Sequence, residues 1–327
     1  MLTLDMVKPT IAIRYILFAT DFEAPANRAL PFAVALTDHY RAKLYVVHVI
    51  PEQAYVFAQP ESFERILKET RDFSGHTLRQ LAHSLTRDDR RCEALLDNGD
   101  IVEVMTKLAQ LHAADLIVVG TSSRKGLDKL LVGSVAEEIL RTAPCPVLAV
   151  GAHVSTQASA GIQSIVCAVD FSLPSLRATE LAISLAKGYE AHLTLIHVVD
   201  GVLRKSPSIG VPFSDNRLRQ LIPQEGELKY KPEVLTVVGP VADCLLTAAN
   251  DLSADILVMG VRGMGALAQT ASHFGSIAHR VVSFAKCPVL TIGESTKLIR
   301  SKNELASRTE SLLQPNALGR KDHRDAA

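Results

Sequence analysis

Short apolar runs alternate with segments of helical periodicity along almost the whole chain. Residues 12–20, 43–50, 92–96, 115–120 and 147–150 are rich in Val, Ile and Leu and run apolar nearly without interruption, as strands covered on both faces do. Between them, Asn27 to His39, Ser62 to Leu85, Ile101 to Leu111 and Val135 to Arg141 carry apolar side chains at the 3.6-residue period of a helix. This alternation predicts a parallel sheet with right-handed crossovers, a doubly wound α/β unit with helices on both faces.

The pattern then occurs a second time. Ile16 to Phe22 (ILFATDF) returns as Ile165 to Phe171 (IVCAVDF), and Tyr45 to Val49 (YVVHV) as Thr194 to Val198 (TLIHV), both at an offset of 149. Ala114 to Gly120 (ADLIVVG) returns as Ala254 to Gly260 (ADILVMG) at an offset of 140, and Ala143 to Leu148 (APCPVL) as Ala285 to Leu290 (AKCPVL) at 142. Four matched blocks in one order indicate a tandem duplication. The smaller later offsets place a deletion within the second copy, where the second helix shrinks to about Asn216 to Ile222 in a stretch holding Pro212, Pro223 and Gly226. The expected organisation is a first domain over 1–151, a linker over 152–161, a second domain over 162–294 and a polar tail over 295–327. Within that tail, Leu298, Leu305, Leu312 and Leu313 mark a short helix at most.

Composition narrows the function classes. The 327 residues are 47% apolar, enough for a sizeable core. Lys plus Arg equals Asp plus Glu at 35 each, which argues against a general nucleic-acid or membrane-surface binder. With no Trp, 10 Phe and 6 Tyr, aromatic stacking platforms are not the main device. Cys92, Cys145, Cys167, Cys244 and Cys287 form no C-x-x-C pair and read as buried free thiols of a reducing compartment. There is no apolar run of membrane-spanning length and no secretory cleavage pattern, so a cytoplasmic protein is expected.

Open α/β sheets bind ligands beyond the carboxyl ends of their strands, where the strand order reverses. Asp21 and Asp170 fall there, each at the end of its copy's first strand. So does the loop from Gly120 to Ser134, which carries Ser122, Ser123, Arg124, Lys125 and Gly133 and runs into a helix. Ser134 and Glu137 have the spacing of a capping box. Amides at such a helix start, backed by the dipole, bind phosphate, and glycines admit an anion close to the backbone. The same residues serve equally well as a tight turn and a helix cap, and both interpretations stand at this stage. The loop is neither a Walker loop nor a Gly-x-Gly-x-x-Gly dinucleotide turn. His48 and His197, inside apolar strands, fit a core imidazole better than a metal ligand.

Together these residues resemble the universal stress protein family: an Asp after the first strand, His-Val late in the second, Gly-x-x-Gly, nine residues and Gly-Ser, and a Cys-Pro-Val-Leu last strand. The likeness covers about residues 11–293. It implies two tandem Rossmann-like domains, each a five-stranded parallel sheet in the order 3-2-1-4-5. It also implies pairing through the last strands, Val147 to Val150 with Val289 to Ile292, in a chain able to dimerise again. One subclass of the family binds ATP at this loop and the other does not. Carried over, Thr20, Asp21 and Val49 line the adenine and ribose region. Gly120, Ser122, Ser123 and Arg124 pass along ribose and phosphates, and Gly133, Ser134 and Val135 face the phosphates. The second copy offers Val169, Asp170, Val198, Gly260, Arg262, Gly263, Gly275, Ser276 and Ile277.

Neither copy matches fully. Ser123 replaces the second glycine of the first motif, whereas eleven residues instead of nine separate Gly263 from Gly275, and His279 replaces the box glutamate. The first copy, with its spacing and basic residues, is therefore the better adenine-nucleotide candidate. The expected function is ATP binding, with or without Mg2+, in a non-catalytic or very slowly hydrolysing stress-response regulator. The alternatives are an interaction module with degenerate pockets and a weak ATP-hydrolysing enzyme.

Overall fold

The computed structural model describes residues 12–51, 60–85, 91–121, 133–155, 161–199, 214–223, 226–261, 276–294 and 296. The first half runs β1 (Tyr15–Ala19), α1 (Ala24–Tyr40), β2 (Lys43–Ile50), α2 (Pro60–Leu85), β3 (Cys92–Asn98), α3 (Ile101–Leu111), β4 (Leu116–Gly120), α4 (Ser134–Thr142) and β5 (Val147–Val150). The second runs β6 (Ser164–Ala168), α5 (Leu173–Tyr189), β7 (His192–Val199), a short helix α6 over 214–219, β8 (Glu233–Val238), α7 (Val241–Asp251), β9 (Ile256–Gly260), α8 (Ser276–Phe284) and β10 (Val289–Ile292). The periodicity placed α3 to the residue. It began α1 three residues late, because the helix starts directly after Glu23 and accommodates Pro25 in its first turn, where no amide hydrogen is needed.

The two five-stranded sheets are continuous with each other through their last strands, in the order β3-β2-β1-β4-β5-β10-β9-β6-β7-β8. Each half keeps the order 3-2-1-4-5, parallel throughout. The halves join antiparallel where Leu148 of β5 lies opposite Leu290 of β10. Edge strands left open would template aggregation, and this pairing removes two of them.

Continuous apolar strands give the sheet two covered faces. On one, α1, α2 and α5 bury Phe18, Leu78, Leu148, Leu181 and Leu290 in a single cluster spanning both halves. On the other, α3, α4, α7 and α8 bury Leu17, Met105, Leu140, Val166 and Val281, again across both halves. Neither core layer stops at the join.

The duplication is preserved in the backbone as well. Left-handed conformations at Phe22, Arg41 and Ala113 recur at Phe171, Glu190 and Ser253. Arg41 and Glu190 end α1 and α5 with φ of 52° each, and the amide of each cap bonds back into its last turn. A carboxylate staples each half at the other end of its sheet. Asp115 Oδ2 accepts the Arg14 and Tyr15 amides at 2.6 and 3.0 Å, and Asp255 Oδ2 accepts those of Gln163 and Ser164 at 2.7 and 2.9 Å. The blocks that revealed the repeat contained both aspartates, but a separation of about a hundred residues from their partners hid this role.

Candidate functional site

β1 pairs with both β2 and β4, so the strand order reverses at β1 and a crevice opens beyond its carboxyl end and that of β4. Thr20 and Asp21 leave β1 on that side, Val49 lies near the end of β2 on the same edge, and Gly120 closes β4. Gly133, Ser134 and Val135 begin α4, the crossover from β4 to β5. These predicted positions thus share one edge of the first half. In the second half Val169, Asp170, Val198, Gly260 and the α8 start at Ser276 and Ile277 occupy the matching edge. Ser122, Ser123, Arg124 and Lys125, together with Arg262, Gly263 and Gly275, lie outside the described residues, as does most of the predicted tail and residues 156–160 of the linker.

Two small turns shape the loop after β1. Thr20 Oγ1 accepts the Phe22 amide at 3.0 Å and Asp21 Oδ1 accepts the Glu23 amide at 2.9 Å, folding the chain sharply enough to hold Phe22 at φ 63°. Asp21 is exposed, so its carboxylate faces solvent at the crevice. Asp170 is more heavily engaged: its Oδ1 accepts both the Ser172 amide at 2.9 Å and the Ser172 hydroxyl at 2.5 Å. Val169 has no hydroxyl to repeat the Thr20 turn; the Asp170 amide instead donates to Ser175 Oγ at 3.3 Å.

The two histidines are structural. His48 Nδ1 bonds the Thr20 carbonyl at 2.8 Å and His197 Nδ1 the Val169 carbonyl at 2.6 Å. Each imidazole lies beside the ring of Phe22 or Phe171, so each fastens its second strand to the loop that presents the aspartate.

The helix start differs from the capping box expected. Gly133 is the N-cap, at φ −53° and ψ 139°, and Ser134 is the first residue inside α4. The Gly133 carbonyl accepts the Glu137 amide at 3.0 Å, which puts Glu137 one position beyond that of a box glutamate. The amides of Ser134, Val135 and Ala136 are the orphan donors of the helix start, and Ser134 and Val135 are both exposed. Glu137 in the first turn brings negative charge to the same place, where it opposes an incoming anion.

Gly120 has a packing reason of its own. A Cβ there would overlap the Pro25 carbonyl at the start of α1, and one at Gly260 would overlap the backbone of Pro174 and Ser175. Both glycines let the first helix of each half seat against the end of the fourth strand.

One cation near the site escaped the sequence patterns. Arg28, on the second turn of α1, reaches across to donate from Nη2 to the Thr121 carbonyl at 3.4 Å, while its buried Nε has no hydrogen-bond partner. Its counterpart Arg177 turns instead to the carbonyls of Glu294 and Thr296.

Among the described residues no group of three or more His, Cys, Asp or Glu is arranged to hold a metal, and no helix is long and apolar enough to cross a membrane. The five thiols are unpaired, four of them buried. Burial pushes those of Cys145, Cys167 and Cys287 up to about 12 and that of Cys92 to about 11, far from a reactive thiolate.

The profile of the universal stress protein family matches residues 12–151 and again residues 161–293. The chain belongs to the universal stress protein family. It is 27% identical over 136 residues to a universal stress protein of Methanocaldococcus jannaschii, a match covering 41% of this chain and 80% of that one. It is 30% identical over 139 residues to a universal stress protein of Thermus aquaticus, covering 40% and 98%. Among solved structures, a universal stress protein from Archaeoglobus fulgidus superposes with a TM-score of 0.65 at 19% identity over 85% of this chain and 98% of the other. A universal stress protein-like structure from Pseudomonas aeruginosa gives 0.57 at 18% identity over 92% and 98%. At these identities the structures establish a shared fold.

Proposed function

We propose that this universal stress protein is a cytoplasmic, non-catalytic stress-response regulator that binds ATP at the carboxyl edge of its first half. One observation carries the proposal: an exposed carboxylate, Asp21, and the orphan amides of α4 lie along the same edge, beside the point where strand order reverses. A nucleotide needs that pairing of opposite characters. The carboxylate accepts hydrogen bonds from sugar hydroxyls, and the helix start donates to phosphate oxygens. Thr20 and Val49 supply the wall beside the sugar and base, and Arg28 adds positive charge. Ser122, Ser123 and Arg124 complete the phosphate side in the proposal. Any Mg2+ travels with the phosphates.

The second half is ranked lower because Asp170 is already engaged by Ser172 at two atoms and its loop spacing differs. Organisation into domains over 1–151 and 162–294, and further homodimerisation, belong to the same proposal.

Titration with a fluorescent ATP analogue tests it. Saturable binding that Asp21→Ala weakens is the expected result. Absence of saturation at millimolar nucleotide overturns the proposal and leaves an interaction module. A phosphate-release rate above that of buffer would instead favour the slow ATPase.

A further inference from the structure

The duplication creates two equivalent places where the first helix of one half meets the base of the other half's sheet, and they differ sharply. Beneath α5, packed around Ile13, Leu36, Leu181 and Leu185, the space is closed to about 10 Å³. Beneath α1, between Phe32, Leu36 and His39 on one side and Ile162, Tyr189 and Asp255 on the other, a cavity of about 510 Å³ remains. That volume lies within the range of about 300–1,000 Å³ typical of small-molecule sites. The two places thus differ in the room they leave, and the side chains around them differ as well.

Those differences are legible residue by residue. Where the first half has His39, the second has Gly188, so at that one position α5 brings only backbone to the cavity, beside Tyr189 and Glu190. Where the first half has Arg14 and Arg41, the second has Gln163 and Glu190, both of which line the cavity. The Arg14 guanidinium helps to offset the Asp115 carboxylate in the closed twin, whereas no Lys or Arg is among the residues lining the open cavity. Glu190 is compensated by Lys229 at 2.6 Å. Asp255 Oδ2 accepts two backbone amides. Phe32, Leu36, Ile162 and Tyr189 supply the apolar part of a wall that also holds Gln163, and His39 stacks on Tyr189 with ring centroids 3.7 Å apart. Burial lowers the His39 pKa, so the imidazole is neutral at neutral pH and does not repel a cation.

We propose that this cavity binds a small hydrophobic amine, its apolar body packed against Leu36, Ile162 and Tyr189 and its ammonium group directed to the Asp255 carboxylate. A carboxylate in a half-enclosed site without a neighbouring Lys or Arg in its lining favours a cation over an anion of the same shape. The site is separate from the crevice beyond β1 and β4 and does not depend on nucleotide binding there.

Calorimetric titration of the full chain with two matched probes, 1-naphthylmethylammonium and 1-naphthoate, tests this, with saturating ATP added in a parallel series. The ammonium is expected to bind saturably, about tenfold or more tighter than the carboxylate, with or without ATP. Gly188→Leu is expected to abolish binding. A Cβ there meets only Tyr40 Oη at 3.6 Å and His39 Nε2 at 3.9 Å, both ordinary contacts. Should that variant unfold, Ala35→Leu on the opposite wall takes its place. Asp255→Asn keeps an oxygen for the two amides and is expected to erase the preference for the ammonium. Equal affinity for both probes, displacement by ATP, or unchanged binding after the cavity is filled would each overturn the proposal.

Discussion

Phe22 and Phe171, 149 positions apart, hold the same left-handed backbone conformation with φ of 63° at each. Each ring packs on the histidine of its own half, with centroids 4.6 Å from His48 and 4.9 Å from His197. An aromatic residue is costly in this region of backbone space, and such strain persists where its surroundings over-determine it. Both copies retain it beside the aspartate that faces the crevice. Replacing Phe22 by Gly therefore removes the ring but relieves the backbone, whereas Ala removes the ring and keeps the strain. Urea unfolding is expected to show Phe22→Gly about 1 kcal/mol more stable than Phe22→Ala; equal stability would mean the strain is not there.

Gly120→Ala and Gly260→Ala should each destabilise the protein by about 1–3 kcal/mol, the usual cost of forcing extra volume into close-packed structure. Each added methyl group would collide with backbone at the start of α1 or α5, which cannot swing away as a side chain can. Chemical denaturation measures the loss. If either substitution is neutral, the close approach is not rigid and the case for these glycines as packing residues fails.

Asp115 gives a pH dependence with a definite sign. Burial raises its pKa above the ordinary 3.8, although the Arg14 and Tyr15 amides oppose the shift. The folded state therefore holds this proton more tightly than the unfolded chain. Its contribution to stability is complete below pH 3.8 and is lost as pH rises through the raised value. Asp115→Asn retains an oxygen acceptor for both amides, and its unfolding free energy should lack this decline. Parallel denaturation curves at stepped pH compare the two proteins, and identical pH profiles would refute the assignment.

Thiol labelling of the native protein at mildly alkaline pH should modify Cys244 first. It is half-buried, whereas Cys92, Cys145, Cys167 and Cys287 are buried. The latter four also have pKa values pushed well up by desolvation. Mass spectrometry of the labelled peptides reads the order. Early labelling of Cys145 or Cys287 would show that the last strands open more readily than their burial implies.

Leu148→Ala and Leu290→Ala should each cost about 2–5 kcal/mol, the range for truncating a buried leucine. The residues face each other across the antiparallel join, 2% and 3% exposed, so the double variant should depart from additivity. Strict additivity would indicate that the two halves are not packed against each other at this point.

Much of this architecture was legible in the sequence because strands buried on both faces need continuous apolar runs, and because each block could be compared with its twin. The aspartates after the first strands and the edge they occupy were legible for the same reason. Features set by contacts between distant segments were not. Ser134 looks like a cap by residue type, but capping depends on backbone angles, and those assign the position to Gly133. Gly120 resembles a ligand-facing glycine until Pro25, far away in sequence, is found against it. Arg28 sits in an ordinary helical pattern, and only the fold brings it to Thr121.

The antiparallel join has a consequence for the two crevices. Strands of the two halves run in opposite directions, so their carboxyl ends point away from each other and the two crevices open on opposite poles of the molecule. One small ligand cannot span them, and occupancy at one pole can reach the other only as a shift or stiffening carried through β5 and β10.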